Sequence, residues 1–400
     1  MRILFVLQSI GIGGSMTSLI NLMTLLKKNS EFKFEVLFMD PYGELFENAK
    51  KVTDVCKRDV MLEASTMNRK KIINMRLYDT LFLRLILALE GKLKKVASNE
   101  IGFQKAAKKY DNKYDCIIAY QESIATNFAI KIKAKKHIAW VHNDYENIKK
   151  IYKNEDKLTA VYDLYNKIIC VSKSGSENFK KLSKIKESKI SYIYNTLLVN
   201  ELKKKSLVNL KDILIEEQND ALYNALNFNG LKLVSSGRFV EQKRFDRVVE
   251  VASILRDQGY KFKWFIIGAG ELFDNIFFKI KNKNLEEYIY LTGKLTNPFP
   301  IVKICNFFVL TSDFEAHPMV ANEALIVGTP VITTNFESAH EVITNELNGL
   351  ICEMNSNSIA KAILKVINNE NLHKRIQENV NNFNYLNNQI IAQVMDIILS

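Results

Sequence analysis

Residues 307–333 read Phe-Phe-Val-Leu-Thr-Ser-Asp-Phe-Glu-Ala-His-Pro-Met-Val-Ala-Asn-Glu-Ala-Leu-Ile-Val-Gly-Thr-Pro-Val-Ile-Thr. The apolar run Phe307–Leu310 suits a buried strand, and Pro318, beyond a polar turn, fits the first position of a helix. Gly328-Thr329-Pro330 closes that helix, and Val331–Thr333 reads as the next strand. Strand, helix and strand in such short compass are the repeating unit of a parallel sheet.

The same rhythm extends in both directions. Upstream, strands are expected at Leu231–Ser235, Phe262–Ile267 and Tyr288–Leu291, with a helix at Phe245–Leu255 carrying Phe245, Val248, Val249, Ala252 and Leu255 on one face. In the N-terminal half, Ile3–Leu7, Phe34–Met39, Cys116–Tyr120, His137–Val141, Ile168–Val171 and Ile190–Tyr194 read as strands, and Ser15–Lys28 as a helix. Between Val199 and Asn229 the rhythm fades into Lys, Asn, Glu and Gln. The pattern predicts two doubly wound α/β domains, 1–200 and 201–383, with a C-terminal helix over 384–400 returning to the first. Paired domains of this kind place ligands in the cleft between strand C-terminal ends.

Several segments carry chemistry. Gly11-Ile12-Gly13-Gly14 follows the first strand and opens a helix, where a backbone can approach phosphate. A dinucleotide fingerprint needs Gly or Ala where Met16 stands, and Gly268-Ala269-Gly270 fails similarly at Phe273. Each segment is equally a tight strand-to-helix turn. Arg238 leaves a strand end, while Lys243 and Arg244 fall where a helix starts, a place the helix dipole makes unfavourable for cations. An anionic ligand such as a diphosphate resolves that conflict, although Glu241 and Asp246 also offer partial neutralisation. In the quoted stretch, Met319 and Val320 are expected to present open N–H groups, with Glu315 just before the helix and Glu323 in its second turn. Carboxylates there can accept hydrogen bonds from vicinal hydroxyls while the N–H groups hold phosphate.

The Glu315…Glu323 spacing, the Gly-Thr-Pro-Val ending, Gly237-Arg238…Lys243, Ile266-Ile267-Gly268-Ala269-Gly270 and Gly13-Gly14 occur in the order that resembles the retaining glycosyltransferases of family four, which have the GT-B fold. The resemblance is strong over residues 231–352 and weaker in the N-terminal half. It implies that Arg238 and Lys243 clamp a nucleotide diphosphate, assisted by N–H groups near Met319 and Val320. It further implies Glu323 on the ribose hydroxyls, Glu315 on the donor sugar, Gly13 and Gly14 lining the cleft, and His142 as the active-site histidine. Two departures stand out. Ala316 and His317 replace a glycine and a hydrophobic residue, with His317 able to alter sugar selection or donate to phosphate. Ser15, Met16 and Thr17 replace the charged residues that often follow the first Gly-Gly.

The implied reaction moves a hexosyl or N-acetylhexosaminyl group from a nucleotide sugar, UDP-linked by preference, to a glycan or lipid-linked acceptor of bacterial cell-surface polysaccharide. No metal is expected, because Asp313 and Glu315 alone fall short of an oxygen-ligand set, and no other cofactor is implied. Competing readings are a Rossmann-type NAD oxidoreductase, motivated by Gly11-Ile12-Gly13 and Asp40, a sugar-nucleotide epimerase, and a basic nucleic-acid-binding protein. The last lacks a recognisable binding module.

Composition frames the partners. The 400 residues carry 56 Lys+Arg against 44 Asp+Glu, a net charge of +12. Residues 66–113 hold +8 of that excess, together with Leu81, Phe82, Leu85, Ile86 and Leu89 at helical spacing. This segment reads either as a packed helix with a solvated lysine face or as a contact with an anionic membrane. The five scattered cysteines suggest a reduced, cytoplasmic setting, peripheral on the inner face of the membrane. No stretch is long and apolar enough to span a bilayer.

Overall fold

The computed structural model describes residues 1–9, 14–27, 32–43, 45–122, 124–152, 155–214 and 220–400. The chain divides into two compact units, Met1–Leu197 with Asn387–Ser400, and Leu198–Leu386.

The first unit is built on a seven-stranded sheet: β1 (Arg2–Ser9), β2 (Lys33–Asp40), β3 (Asp54–Val55), β4 (Cys116–Ala119), β5 (Lys136–Val141), β6 (Lys167–Cys170) and β7 (Ile190–Tyr192). Their order is β3-β2-β1-β4-β5-β6-β7, with every pairing parallel. Ile3–Leu7 and Cys116–Ala119 are buried throughout, as strands covered by helices on both faces must be. The first helix runs Gly14–Leu26 and buries Leu19, Leu22, Met23 and Leu26; Lys28, where the sequence reading ended it, lies outside the described residues. The C-terminal helix Asn387–Leu399 packs against Gly14–Leu26 through Ile390, Val394 and Ile398. Asn387 secures its start, accepting the Leu197 N–H at 3.1 Å and donating to the Leu197 carbonyl.

The second unit holds β8 (Leu231–Ser236), β9 (Phe262–Ile267), β10 (Ile289–Gly293), β11 (Phe307–Leu310), β12 (Val331–Thr334) and β13 (Gly349–Cys352). Their order is β10-β9-β8-β11-β12-β13, again parallel. Trp264 anchors the interior, its indole N–H donating to Ser235 Oγ at 3.1 Å. The polar stretch before β8 forms the short helices Val199–Lys205, Leu210–Leu214 and Asp220–Leu226. Two strands escaped the sequence reading. β3 spans two edge residues, and β13 opens on a glycine after Asn348, which reads as a turn.

Gly268 ties together the loops that leave β8, β9 and β10. Its φ of +143° suits glycine, and a Cβ there would lie 1.9 Å from the Gly237 carbonyl oxygen. Its own N–H donates to Gly293 O at 2.8 Å, and Gly237 N–H donates to Ile267 O at 3.0 Å. Gly268→Ala therefore forces apart the turn that carries Arg238. We expect it to lower unfolding free energy by about 1–3 kcal/mol in urea titration, the range for strain at a special backbone position.

Candidate active site

In the second unit the strand order reverses between β8 and β11, and open α/β sheets bind ligands beyond the strand C-termini at such reversals. Arg238 follows β8 across Gly237 and is exposed. Lys243 ends a single 3-10 turn, Glu241–Lys243, and Glu315 lies in the loop after β11. The two side chains meet across the reversal, Lys243 Nζ donating to Glu315 Oε1 at 2.6 Å with 14% and 10% of their surfaces exposed. Ser312 Oγ donates to the same oxygen at 2.7 Å. Glu315 Oε2 has no hydrogen-bond partner among the described residues.

The expected crowding of cations at a helix start is corrected by the structure. Lys243 belongs to the 3-10 turn, and only Arg244 borders the helix Phe245–Asp257. Arg244 takes a left-handed conformation (φ 49°) and pairs with Asp246 at 2.9 Å and Asp313 at 3.1 Å. Buried Arg247 holds the other Asp313 oxygen at 2.6 Å. Carboxylates of the chain itself balance the cluster, so no anion is needed to explain Arg244.

The helix Met319–Val327 begins one residue later than expected, with Pro318 as its cap at φ −76° and ψ 80°. Those angles make an inverse γ-turn, in which the Met319 N–H closes on His317 O at 2.8 Å. Met319 is thus not an open donor, while the Val320 N–H has no partner among the described residues. The first turn carries no acid, leaving the positive end of the dipole without a counter-charge from that turn. Nε2 of His317 faces Asn322 Nδ2 at 3.2 Å and Tyr385 Oη at 3.5 Å. Burial pulls its pKa down to about 4, so the ring is neutral at pH 7. With the Asn322 amide donating to Nε2, its proton sits on Nδ1.

Glu323, one turn on from Val320 along the same helical face, is half-buried and makes no hydrogen bond or ion pair among the described residues. Burial pushes its pKa up to about 7, opposed by the charge of Lys205. The loop thus holds one carboxylate locked to a lysine and one poised to titrate. Among the described residues no three His, Cys, Asp or Glu side chains gather as a metal set.

In the first unit the reversal falls between β1 and β4. Gly13 lies outside the described residues; Gly14 opens the helix, and a Cβ there would meet nothing within 4 Å. Gln121, after β4, accepts the Gln8 N–H at 3.0 Å and donates to Ser15 Oγ at 3.0 Å, binding the two strand ends to the helix start. One strand further, His142 follows β5. Buried Glu122 accepts the backbone N–H groups of His142 and, at 2.7 Å, of Asn143. Desolvation holds the His142 imidazole down to about 3, and its buried Nε2 has no hydrogen-bond partner among the described residues. Its ring lies 4.8 Å from that of Tyr120, which is held through Ser18 Oγ at 2.9 Å. A neutral imidazole with an uncommitted nitrogen suits a hydrogen bond to a hydroxyl better than cation chemistry.

Residues 223–383, which contain the whole β8–β11 reversal, match the family described as glycosyl transferases group 1. This stretch belongs to that family. A glycosyltransferase of Methanocaldococcus jannaschii is 32% identical over 54% of this chain and 54% of its own length. The N-acetylgalactosamine-N,N'-diacetylbacillosaminyl-diphospho-undecaprenol 4-alpha-N-acetylgalactosaminyltransferase of Campylobacter jejuni is 24% identical over 65% of this chain and 66% of its own length. The chain therefore spans about half and about two thirds of these relatives. Among solved structures, Anabaena HepE in complex with UDP and glucose superposes with a TM-score of 0.74 at 16% identity, covering 100% of this chain and 99% of that one. That likeness is one of fold, the GT-B arrangement of two Rossmann-like units.

Within the group 1 stretch the structure brings Lys243 and Glu315 together, places Val320 and Glu323 on one helical face, and removes the Met319 N–H. Sequence reading missed the supporting residues Ser312 and Asn322 and weighed Asp313 only as a metal ligand, whereas it pairs with Arg244 and Arg247. It also missed Glu122, which lies twenty residues from the histidine whose backbone it holds. Lys243→Met leaves the Glu315 carboxylate without its cation in a nearly closed site. The expected cost is about 2–4 kcal/mol by urea unfolding, and Lys243→Met with Glu315→Gln should recover much of it.

Proposed function

We propose that this chain is a retaining glycosyltransferase that moves a hexosyl or N-acetylhexosaminyl group from a nucleoside diphosphate sugar, UDP-linked by preference, to a glycan or lipid-linked glycan of the bacterial cell surface. The observation that carries the reading is Glu323. A carboxyl pushed up to about 7 by burial, with no partner among the described residues, is costly unless a ligand supplies donors, and ribose hydroxyls are such donors. HepE, solved with UDP, and the Campylobacter relative, named for a diphospho-undecaprenol substrate, support the donor and acceptor classes.

In this reading Arg238, Lys243 and the Val320 N–H hold the diphosphate without a metal ion. Lys243 has three donors and can serve Glu315 and a phosphate oxygen together. The Glu315 Oε2 takes a hydroxyl of the transferred sugar. His317, tied to Asn322, shapes the turn before the helix. The anomeric C–O bond to phosphate breaks as the acceptor oxygen attacks from the same face, and the acceptor proton passes to the departing phosphate oxygen. Charge developing on the leaving group is what the cations and the helix dipole stabilise. The reaction takes place in the cytoplasm, at the inner face of the membrane, where lipid-linked acceptors are reached and where the 66–113 segment makes contact.

A nucleotide-release screen over UDP- and GDP-sugars with lipid-linked acceptors tests this reading. We expect release that depends on acceptor, falling by about 100-fold or more in Arg238→Ala and Lys243→Ala. Near-normal turnover in those variants, or thermal stabilisation by NAD and none by UDP or GDP, would overturn it.

The pH dependence follows from Glu323, whose folded pKa is raised from 4.5 to about 7. The folded chain then binds more protons than the unfolded one across that window, so Glu323 subtracts stability as pH rises through it. Hydroxyl donors favour the ionised form. Binding of a UDP-sugar, whose diphosphate has no ionisation of its own in this window, should therefore release a proton near pH 6–7 and tighten with rising pH, effects that calorimetry should find absent in Glu323→Gln.

A further inference from the structure

The helix Tyr78–Lys94 is mounted with its apolar face outward. Tyr78, Phe82, Leu89 and Leu93 are 71%, 67%, 65% and 85% exposed, and Leu85 and Ile86 share their side. Thr80, Leu87 and Gly91 face the opposite way and are buried. Leu87 packs with Ala64 and Ile101 on the inner side, and polar contacts fix it there. Arg58 donates to Asp79 at 2.7 Å and to Thr80 Oγ1 at 2.8 Å, while Arg84 donates to the Ala64 and Met67 carbonyls at 2.9 and 2.6 Å. Glu90 pairs with Lys94 and Lys105. Rotation to bury the apolar side would break all of these.

The charge of the 66–113 segment is not uniform. Lys71, Lys94, Lys105 and Lys109 are spent on Asp40, Glu90 and Asp59, and Arg84 on backbone carbonyls. Lys92 lies on this helix, Arg76 and Lys95 flank its ends, and Arg69 and Lys70 begin the helix Arg69–Asn74 that packs against it; all five are exposed and have no ion pair among the described residues. Apolar side chains bordered by uncompensated cations match an anionic bilayer, whose headgroups meet the cations while its acyl region takes the rings and leucines. We propose that this face is the surface by which the chain docks on an anionic membrane, with Phe82, Leu85, Leu89 and Leu93 entering the lipid. The inference stands on the helix itself and narrows the membrane contact suggested above to one face of one helix.

Flotation of the full chain with phosphatidylcholine vesicles, with and without phosphatidylglycerol, tests it. Binding should require the anionic lipid and weaken with salt. It should fall by about tenfold or more both in Leu85→Gln/Leu89→Gln and in Lys70→Glu/Lys92→Glu. Thermal stabilisation by UDP, unchanged in both variants, separates this result from failure of the transferase reading. Equal binding to neutral vesicles, or none to either, would overturn the proposal. So would a concentration-dependent dimer that Leu85→Gln/Leu89→Gln dissociates without any lipid binding, since the face would then serve a second copy.

Discussion

Lys243 and Glu315 stand in loops that follow different strands, β8 and β11, yet their charged atoms lie 2.6 Å apart in a largely closed site. That contact spans the reversal of the second sheet, the point where helices depart to opposite faces and leave a crevice. Desolvating both charges is tolerable only because each satisfies the other and Ser312 adds a donor. The surrounding backbone is arranged to permit it. Gly237 lets the lysine stem pass, with a Cβ there coming within 3.1 Å of Lys243 Cε, and Gly268 lets the neighbouring loop press against Gly237. Arg244 turns left-handed as the chain enters the helix and is met by Asp246 and Asp313.

Within each unit, burial sets protonation. Glu323 lies in a desolvated position with no compensating donor and is drawn toward neutrality near physiological pH. His317 and His142 are neutral because their surroundings cannot support the imidazolium. Glu122 serves as a positioning residue, its carboxylate held by two backbone N–H groups that orient the turn carrying His142.

The first unit shows how an amphipathic pattern can be used in reverse. Arg58, Arg84 and Glu90, with Leu87 packed beside Ala64 and Ile101, fasten one side of Tyr78–Lys94 to the domain and leave the larger apolar side outward. The net charge of this segment overstates what a partner would meet. Five of its twelve cations are already committed, and of the other seven Arg76, Lys92 and Lys95 lie on the helix or at its ends.

The sheets were legible in the sequence because parallel strands covered on both faces must be continuous apolar runs, as in Phe307–Leu310 and Trp264–Ile267. The loops that carry Gly237, Arg238 and Glu315 could be located with the strands, because they follow β8 and β11 within a few residues. What tertiary structure decided were matters no local pattern contains. Proline restrains φ but not ψ, so only the folded loop determined that Pro318 would close a γ-turn and consume the Met319 N–H. Partners distant in sequence were equally hidden, including Glu122 for His142 and Asp313 for Arg244 and Arg247. The stripe from Tyr78 to Leu93 could be read as amphipathic, but which side faced solvent depended on where Arg58 and the carbonyls of Ala64 and Met67 were placed. Periodicity is local in the chain, whereas burial and charge pairing belong to the assembled domain.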